Sequence, residues 1–172
     1  IGVRMNLREI IIEILLELER TDGYVNLLLA DVLEKYDYLE PREKAFIKRV
    51  TEGSVERKIQ IDYVLNGISK VPVKKMKPFI RALLRMSAYQ LLFMEAVPDA
   101  AVCNEAVKLA KKRKFGSLQG YVNGVLRNLS RQKGAVAWPD AGKNAAEAFS
   151  VLYSMPLWLT EYFLRLYGLE TT

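Results

Sequence analysis

Apolar residues recur every three or four positions along nearly the whole chain, which is the spacing of one face of an α-helix. The first such stretch predicts a helix that ends at the sequence TDG, residues 21–23, with these apolar positions: Leu7, Ile11, Ile14, Leu15 and Leu18. Glu9, Glu13 and Glu17 mark its expected polar side. Asn6 is placed to cap it, and Glu9 follows three residues later, as in a capping box.

Two further helices are predicted before residue 67. One carries an apolar face between Val25 and Tyr36, and the other starts at Pro41 and continues to about Asn66. Proline suits a first helical position because its missing N–H would be unpaired there. Gly53 lies in the middle of the second helix, where glycine costs about 1 kcal/mol against alanine. We therefore expect a close helix crossing or a bend at Gly53.

A connector at residues 69–78 separates these helices from three more. It is bracketed by Pro72 and Pro78, and it carries four lysines: Lys70, Lys74, Lys75 and Lys77. The helix that follows, 79–94, is apolar over most of its surface and is predicted to be the most buried. Helices at 102–114 and from 118 onward follow, joined by FGS. The class predicted is all-α, a bundle of about six helices with an appended segment.

The C-terminal segment is interpreted separately. Residues 134–143 read as a linker, and in the tail Ser154 is a candidate cap with Pro156 as an early helical residue. A helix with a broad apolar face around Trp158 and Phe163 has two interpretations. It either begins a domain that this chain does not contain, or folds back on the bundle.

Composition narrows the classes of function. The chain of 172 residues is 51% hydrophobic and 27% charged, so it can bury a core. No apolar run is long enough to span a bilayer, and no signal-peptide pattern starts the chain, so no membrane association is expected. A single cysteine excludes internal disulfides and suits a cytoplasmic protein. The absence of histidine argues against a zinc site and against histidine-based catalysis. Cys103 is expected to be a core residue.

Charge is distributed unevenly along the sequence. Residues 1–66 carry a net charge of −3, residues 67–135 carry +11, and residues 136–172 carry −2. A basic middle third attracts phosphate polymers or acidic surfaces. The alternative is a solvated basic face without a partner, and charge alone does not decide between them.

Several stretches together resemble one family. NEAVKLAKK (104–112) and YVNGVLRN (121–128), with LREI (7–10) and EPREKAFIKRVTEGSVERKIQID (40–62), resemble the NusB-like RNA-binding domain over about residues 5–133. The tail motif Ser154–Leu159 resembles the segment that follows this domain in RsmB-type (Sun/Fmu) 16S rRNA cytosine-5 methyltransferases, where the pattern is close to S-x-P-x-W-L. The resemblance implies a NusB-like domain at 5–133, a linker at 134–143, and an incomplete methyltransferase-side region at 144–172.

The resemblance also implies what this chain would lack. The S-adenosylmethionine-binding unit and a cysteine nucleophile in a Pro-Cys setting are expected in a following catalytic domain. No catalytic residue, cofactor or metal is therefore expected in this chain, and S-adenosylmethionine is expected only in the full-length enzyme. Expected partners are ribosomal RNA, the protein's own C-terminal methyltransferase domain and, in the free factors, a ribosomal protein.

The RNA contacts implied by the resemblance fall in two regions, the N-terminal basic residues and the stretch around the last two bundle helices. The candidates are Arg4, Arg8, Lys111, Lys112, Arg113, Lys114, Tyr121, Arg127 and Arg131. Tyr121 would stack on an unpaired base, and the cations would contact phosphates. The alternatives are a surface pairing of Arg8 with nearby glutamates, an interhelix role for Tyr121, and a favourable helix-dipole interaction for Lys111–Lys114.

Three functions remain open from the sequence. The first is an RNA-binding module that positions small-subunit rRNA for a methyltransferase domain. The second is a stand-alone antitermination factor that binds RNA and a ribosomal protein, although its usual arginine-rich leader is here reduced to Arg4 and Arg8. The third is a helical bundle whose basic face docks an acidic protein.

Overall fold

The protein is helical throughout the part that the computed structural model describes, residues 6–169. Nine α-helices occur in this range: α1 (Leu7–Thr21), α2 (Val25–Lys35), α3 (Pro41–Glu56), α4 (Lys58–Ile68), α5 (Pro78–Phe93), α6 (Asp99–Lys112), α7 (Gln119–Gln132), α8 (Ala145–Leu152) and α9 (Leu157–Tyr167). Short 3-10 turns lie at Val73–Lys75, Gly116–Leu118 and Lys133–Ala135. No described residue lies in a strand, and the all-α class is confirmed.

The start of α1 agrees with its sequence signal only in part. The Asn6 side chain accepts a hydrogen bond from the Arg8 backbone N–H at 2.8 Å, which confirms it as the N-cap. The prediction that Glu9 lies on the polar side is wrong, because Glu9 is buried beneath α6. The ion pair with Lys112 of α6 allows this carboxylate to be buried.

The single helix predicted from Pro41 to Asn66 is two helices. The chain leaves helical geometry at Arg57, between α3 and α4. Ser54 lies just before the break and donates its hydroxyl to the Val50 carbonyl at 2.6 Å, a back-bond that often bends helices. The close crossing predicted at Gly53 is confirmed, because a Cβ there would overlap the phenol ring of Tyr89 on α5.

Helix α5 occupies the centre of the bundle, as its sequence predicts. It packs against α1, α3, α4, α6 and α7, and eleven of its sixteen residues are buried. The fully buried side chains around it include Ile11, Ile47, Leu65 and Leu126, one from each of four surrounding helices. The helices α1, α3, α4, α6 and α7 are therefore positioned by their contact with α5.

Helices α6 and α7 form an antiparallel pair. Ser130 near the end of α7 donates to Asp99 at the start of α6 at 2.6 Å, which sets their register. The far end of α6 closes with Lys114 in the left-handed region, φ 66°. There the Phe115 N–H bonds to the Ala110 carbonyl at 2.8 Å, and the Lys114 N–H bonds to the Lys111 carbonyl at 3.2 Å. This Schellman geometry fixes the direction of the basic run.

The C-terminal segment contains two helices where one was predicted. Ser154 does not cap a helix. It follows α8 with φ 51°, and its hydroxyl lies 3.5 Å from the Gln60 N–H on α4. Pro156 precedes α9 as its N-cap instead of lying inside it. The linker also reaches α4, where the Tyr63 hydroxyl donates to the Ala137 carbonyl at 2.7 Å.

Helices α8 and α9 differ in how they meet the rest of the molecule. Helix α8 packs on α4 and buries Ala148 and Val151. Helix α9 packs on α8 and leaves a row of large apolar side chains exposed: Leu157, Trp158, Tyr162, Leu166 and Tyr167. Across residues 6–169, none of the helices combines the length and the apolar character that crossing a membrane requires.

Candidate nucleic-acid interface

The basic run at the end of α6 contains two cations that are engaged by α1. Lys112 Nζ donates to Glu9 Oε2 at 2.7 Å, and that carboxylate side chain is only 4% exposed. Arg113 Nη1 lies 2.6 Å from Glu13 Oε1, and its guanidinium also sits 5.2 Å from the centre of the Phe79 ring. Both side chains therefore hold α6 against α1 and α5 as well as contributing positive charge.

The other two cations of the run project into solvent. Lys111 and Lys114 are exposed, and neither side chain has an ion-pair partner among residues 6–169. Their positions are fixed by the α6 helix and its left-handed end. Lys111 and Lys114 are thus the members of the run that remain available to phosphate.

Arg127 and Arg131 belong to a different part of the surface. The Arg127 guanidinium donates to Asn104 Oδ1 at 2.9 Å and to Asn123 Oδ1 at 3.3 Å, which joins α6 to α7. Arg131 is exposed and adjoins Ser130, at the Asp99 end of α6. Twelve residues of helix separate Asp99 from Lys111, or roughly 18 Å at 1.5 Å per residue. Arg131 therefore lies far from Lys111 and Lys114, while Arg127 contacts α6 at Asn104, between the two ends.

Arg8 is half-buried and held by uncharged partners. Its Nε and Nη2 donate to Gln90 Oε1 at 3.2 and 3.0 Å, and its guanidinium lies 5.3 Å from the Phe46 ring centre. Burial lowers the pKa of Arg8, and the charge of Glu105 offsets part of that effect. Its hydrogen-bond partner is an amide and not one of the expected glutamates. Arg4, the other N-terminal candidate, lies outside the described residues.

Tyr121 bridges two helices. Its hydroxyl lies 2.5 Å from Ser69 Oγ, where α4 meets the connector, and its half-buried ring packs against the core. This contact fits the alternative in which Tyr121 links two helices. Stacking of Tyr121 on a base stays a prediction, since part of the side chain remains accessible.

Cys103 lies in the core on α6. It is fully buried, and burial raises the pKa of its thiol, while the nearby charge of Arg127 acts in the opposite direction. Its thiol is therefore shielded and protonated at neutral pH. Gly120 and Gly124 lie on the outer side of α7, where a Cβ would meet open space, so no backbone of the described chain approaches them.

One basic contact at this end of the bundle was missed from the sequence. The Phe79 and Phe115 rings stack at 5.1 Å with an interplanar angle of 4°. Lys77 of the connector lies 5.6 Å from the Phe115 ring centre, and Arg113 lies on Phe79. The stack thus joins the connector to the end of α6. No local pattern marked this contact, because each cation lies on the phenylalanine of the other segment and not on the one beside it in sequence.

Two kinds of curated relative match the chain. Probable ribosomal RNA small subunit methyltransferase B of Bacillus subtilis is 34% identical over 167 residues, which cover 97% of this chain and 36% of the relative. The protein of the same name from Synechocystis is 29% identical, with 96% and 36% covered. Transcription antitermination protein NusB of Xanthomonas axonopodis pv. citri is 34% identical over 111 residues, with 63% and 65% covered. This chain thus spans about a third of the length of the methyltransferases.

Solved structures share the fold. A crystal structure of antitermination factors NusB and NusE in complex with dsRNA aligns with a TM-score of 0.66 at 19% identity, covering 73% of this chain and 93% of that one. The crystal structure of PH0851 aligns over 99% of this chain and 38% of its own, with a TM-score of 0.67 at 21% identity. The second alignment includes the α8–α9 segment.

The family assignment follows from the length of the sequence match. The NusB family matches residues 5–131, which is the range of α1 to α7 and most of the chain. The predicted resemblance is confirmed, and this protein belongs to the NusB family.

Proposed function

We propose that this chain is the RNA-binding N-terminal part of a small-subunit rRNA cytosine-5 methyltransferase, and that it positions rRNA for a catalytic domain. One observation carries the proposal. The similarity to methyltransferase B extends over 97% of the chain, so it includes α8 and α9 beyond the NusB match at 5–131. The NusB protein of Xanthomonas axonopodis aligns over 111 residues, or 63% of the chain. S-adenosylmethionine and the nucleophile would belong to the catalytic domain.

The charge on the described surface supports RNA as the partner. Lys111 and Lys114 present uncommitted ammonium groups from a rigid helix end. Lysine is a flexible point charge that suits backbone phosphates, and such contacts position a nucleic acid without reading its sequence. This is what a module needs when a separate catalytic domain selects the nucleotide.

The appended helices support the methyltransferase domain as an intramolecular partner. Helix α9 exposes an apolar row in which the Trp158 side chain is 68% accessible. A row of this kind is larger than the scattered apolar residues of an ordinary surface. In the proposed protein, this side of α9 packs against the chain that leads to the catalytic domain.

The second candidate function is that of a stand-alone antitermination factor. It is favoured by the shared fold with NusB in the NusB–NusE–dsRNA complex. A factor of that kind would bind its RNA more tightly when its ribosomal-protein partner is present. The module proposed above would bind small-subunit rRNA alone.

The test is a binding measurement on the 172-residue chain with fragments of small-subunit rRNA, with and without added NusE. We expect binding to the rRNA fragments that NusE does not strengthen. Binding that requires NusE would favour the antitermination factor. In a parallel assay with labelled S-adenosylmethionine we expect no methyl transfer by this chain, and transfer abolished by Cys103→Ala would contradict the proposal.

A further inference from the structure

The connector between α4 and α5 lies in a stretch of the sequence that carries positive charge only. Between Asp62 and Glu95 the chain carries six Lys or Arg residues and no Asp or Glu. Four of the six are connector lysines, all exposed: Lys70, Lys74, Lys75 and Lys77. Local sequence therefore supplies no carboxylate to neutralise the connector.

The connector is held rigidly despite its lack of a long helix. Arg81 Nη1 donates to three of its carbonyl oxygens, those of Val73, Lys74 and Met76, at 3.2–3.4 Å. Asn66 Oδ1 accepts the Val73 N–H at 2.9 Å, and the Val73 and Met76 side chains are buried. A ligand that binds here meets ordered backbone, so little conformational entropy is lost.

A groove of about 580 Å³ runs beside the connector. Its walls come from the end of α1, one side of α4, the connector and α5, and its charged lining residues are Glu19, Lys58, Asp62, Lys74, Arg81 and Arg85. Lys58 lies at one end of the α4 wall. At the other end, Asn66 holds Val73, the neighbour of Lys74. Eight residues of helix separate Lys58 from Asn66, which is roughly 12 Å.

The carboxylates of the groove are already satisfied. Both oxygens of Asp62 accept from Arg85, at 2.8 and 2.7 Å. Both oxygens of Glu19 accept from Arg81. Lys58 and Lys74 have no ion-pair partner within residues 6–169, so the uncommitted charge of the groove is positive at both ends.

We propose that this connector groove is a second RNA-backbone site, in which Lys58 and Lys74 bind successive stretches of phosphodiester. The inference deepens the proposed function and depends on it. Lys58 and Asn66, which holds the neighbour of Lys74, are roughly 12 Å apart along α4, so the two lysines suit a polyanion better than a single phosphate. The groove lining is polar, with the exposed amide of Asn66 at one end and no large exposed aromatic side chain, so the contacts follow the backbone and not the bases.

The groove is separate from the predicted RNA-binding surface on α6 and α7, but exposed lysines connect the two. Lys77 at the end of the connector lies on Phe115, which follows Lys114 in sequence. An RNA strand that leaves the groove along the connector therefore meets Lys114 and Lys111 next. The two surfaces together provide a path along one end of the bundle.

The test compares three double variants of the 172-residue chain in binding to a small-subunit rRNA fragment across a salt series. Each lost phosphate contact lowers the log–log salt slope by about 0.7 to 0.9, so Lys58→Ala with Lys74→Ala should lower it by about 1.4 to 1.8. If the affinities of wild type and variant are equal at 1 M salt, this difference in slope corresponds to a loss of affinity of roughly 25- to 60-fold at 0.1 M salt. Lys58→Arg with Lys74→Arg should keep both slope and affinity. Lys35→Ala with Lys48→Ala, a matched charge removal on α2 and α3, should change both far less.

The outcomes separate the inference from the proposed function. If wild type binds RNA and Lys58→Ala with Lys74→Ala binds it with an unchanged slope, the groove site is wrong and the proposed function stands. If wild type does not bind RNA at all, both are wrong. If polyglutamate competes for the groove more strongly than RNA does, the groove docks an acidic protein and the RNA assignment is overturned. Hydrogen exchange should show RNA-dependent protection of residues 66–76, and unchanged exchange there contradicts the site.

Discussion

Lys112 Nζ lies 2.7 Å from Glu9 Oε2, a carboxylate that the bundle otherwise shields from water. The two residues are 103 positions apart, and their contact ties the end of α6 to the start of α1. Lys112 lies in a basic run that suggests phosphate binding, and it also neutralises the buried carboxylate of Glu9. Neighbouring lysines of one basic run thus have different roles, which mutation can separate.

Lys112→Ala should destabilise the fold, whereas Lys111→Ala should not. Removing Lys112 leaves a buried carboxylate without its charged donor, at a cost of about 1–3 kcal/mol in the free energy of unfolding. Lys111 is exposed and unpaired within the described chain, so its removal should stay within about 0.5 kcal/mol. Urea unfolding of both variants measures the difference. Adding Glu9→Gln to Lys112→Ala should recover part of the loss, and no recovery would show that the pair does not account for it.

Gly53→Ala should destabilise the protein although alanine is the better helix former. A Cβ at Gly53 would overlap the Tyr89 ring, and overpacking of this kind costs about 1–3 kcal/mol. The control is Gly124→Ala on α7, where a Cβ meets open space and helix propensity should stabilise by about 0.5–1 kcal/mol. Thermal melting should show shifts of opposite sign. Tyr89→Leu should relieve the effect of Gly53→Ala, and shifts of equal sign in the two glycine variants would contradict the crossing.

Asp99→Asn should reduce stability at neutral pH, and the difference should vanish in acid. Burial alone would raise the pKa of Asp99, but hydrogen bonds from Lys133 and Ser130 and the charge of Lys133 lower it overall. A carboxylate with a lowered folded-state pKa stabilises the fold above its unfolded pKa of about 3.9, and this contribution is lost as the pH falls through the folded value. The urea midpoints of wild type and Asp99→Asn should therefore begin to converge as the pH falls below about 4, and should meet below the folded-state pKa. A gap that is constant with pH would contradict the ion pair.

Cys103 should be inert in the folded protein. The side chain is fully buried and its thiol pKa is raised, so the reactive thiolate is scarce at neutral pH. Its alkylation rate should follow the global unfolding rate through a urea series. Fast labelling under native conditions would show that α6 opens locally.

Removal of residues 134–172 should leave a folded bundle. The buried core cluster draws its members from Ile10 to Leu129, and none of them lies in α8 or α9. Truncation after Lys133 exposes Tyr63, which stacks on Trp138 at 6.0 Å, so some stability should be lost. Cooperative melting and helix content per residue should persist. A molten product would show that the α4–α8 contact completes the core.

Periodicity predicted the helical class and the central position of α5, because both depend on burial along one helix. The close crossing at Gly53 was indicated, with a bend as the alternative, by a glycine in the middle of a helical stretch. Contacts between distant helices were not predictable in this way. The placement of Glu9 depends on Lys112, and the joining of the connector to α6 depends on the stacked rings of Phe79 and Phe115. The break at Arg57 is local, yet it carries no glycine or proline at the break itself. Pro156 lies in the turn between α8 and α9, but it did not reveal that a helix precedes Ser154. Sequence therefore predicted the elements well and the candidate site only as a list of cations.

The most direct test of the central claim is the salt dependence of RNA binding for wild type, for Lys111→Ala with Lys114→Ala, and for Tyr121→Ala. Wild type should bind small-subunit rRNA fragments with a steep negative log–log slope, and the lysine pair should reduce that slope by about 1.4 to 1.8. Tyr121→Ala should weaken binding to RNA with unpaired bases at an unchanged slope, because stacking releases no counterions. Lys35→Ala serves as the single-charge control. Wild-type binding that is weak and insensitive to salt, or equal losses in the control and the Lys111/Lys114 variant, would contradict an RNA site on this surface.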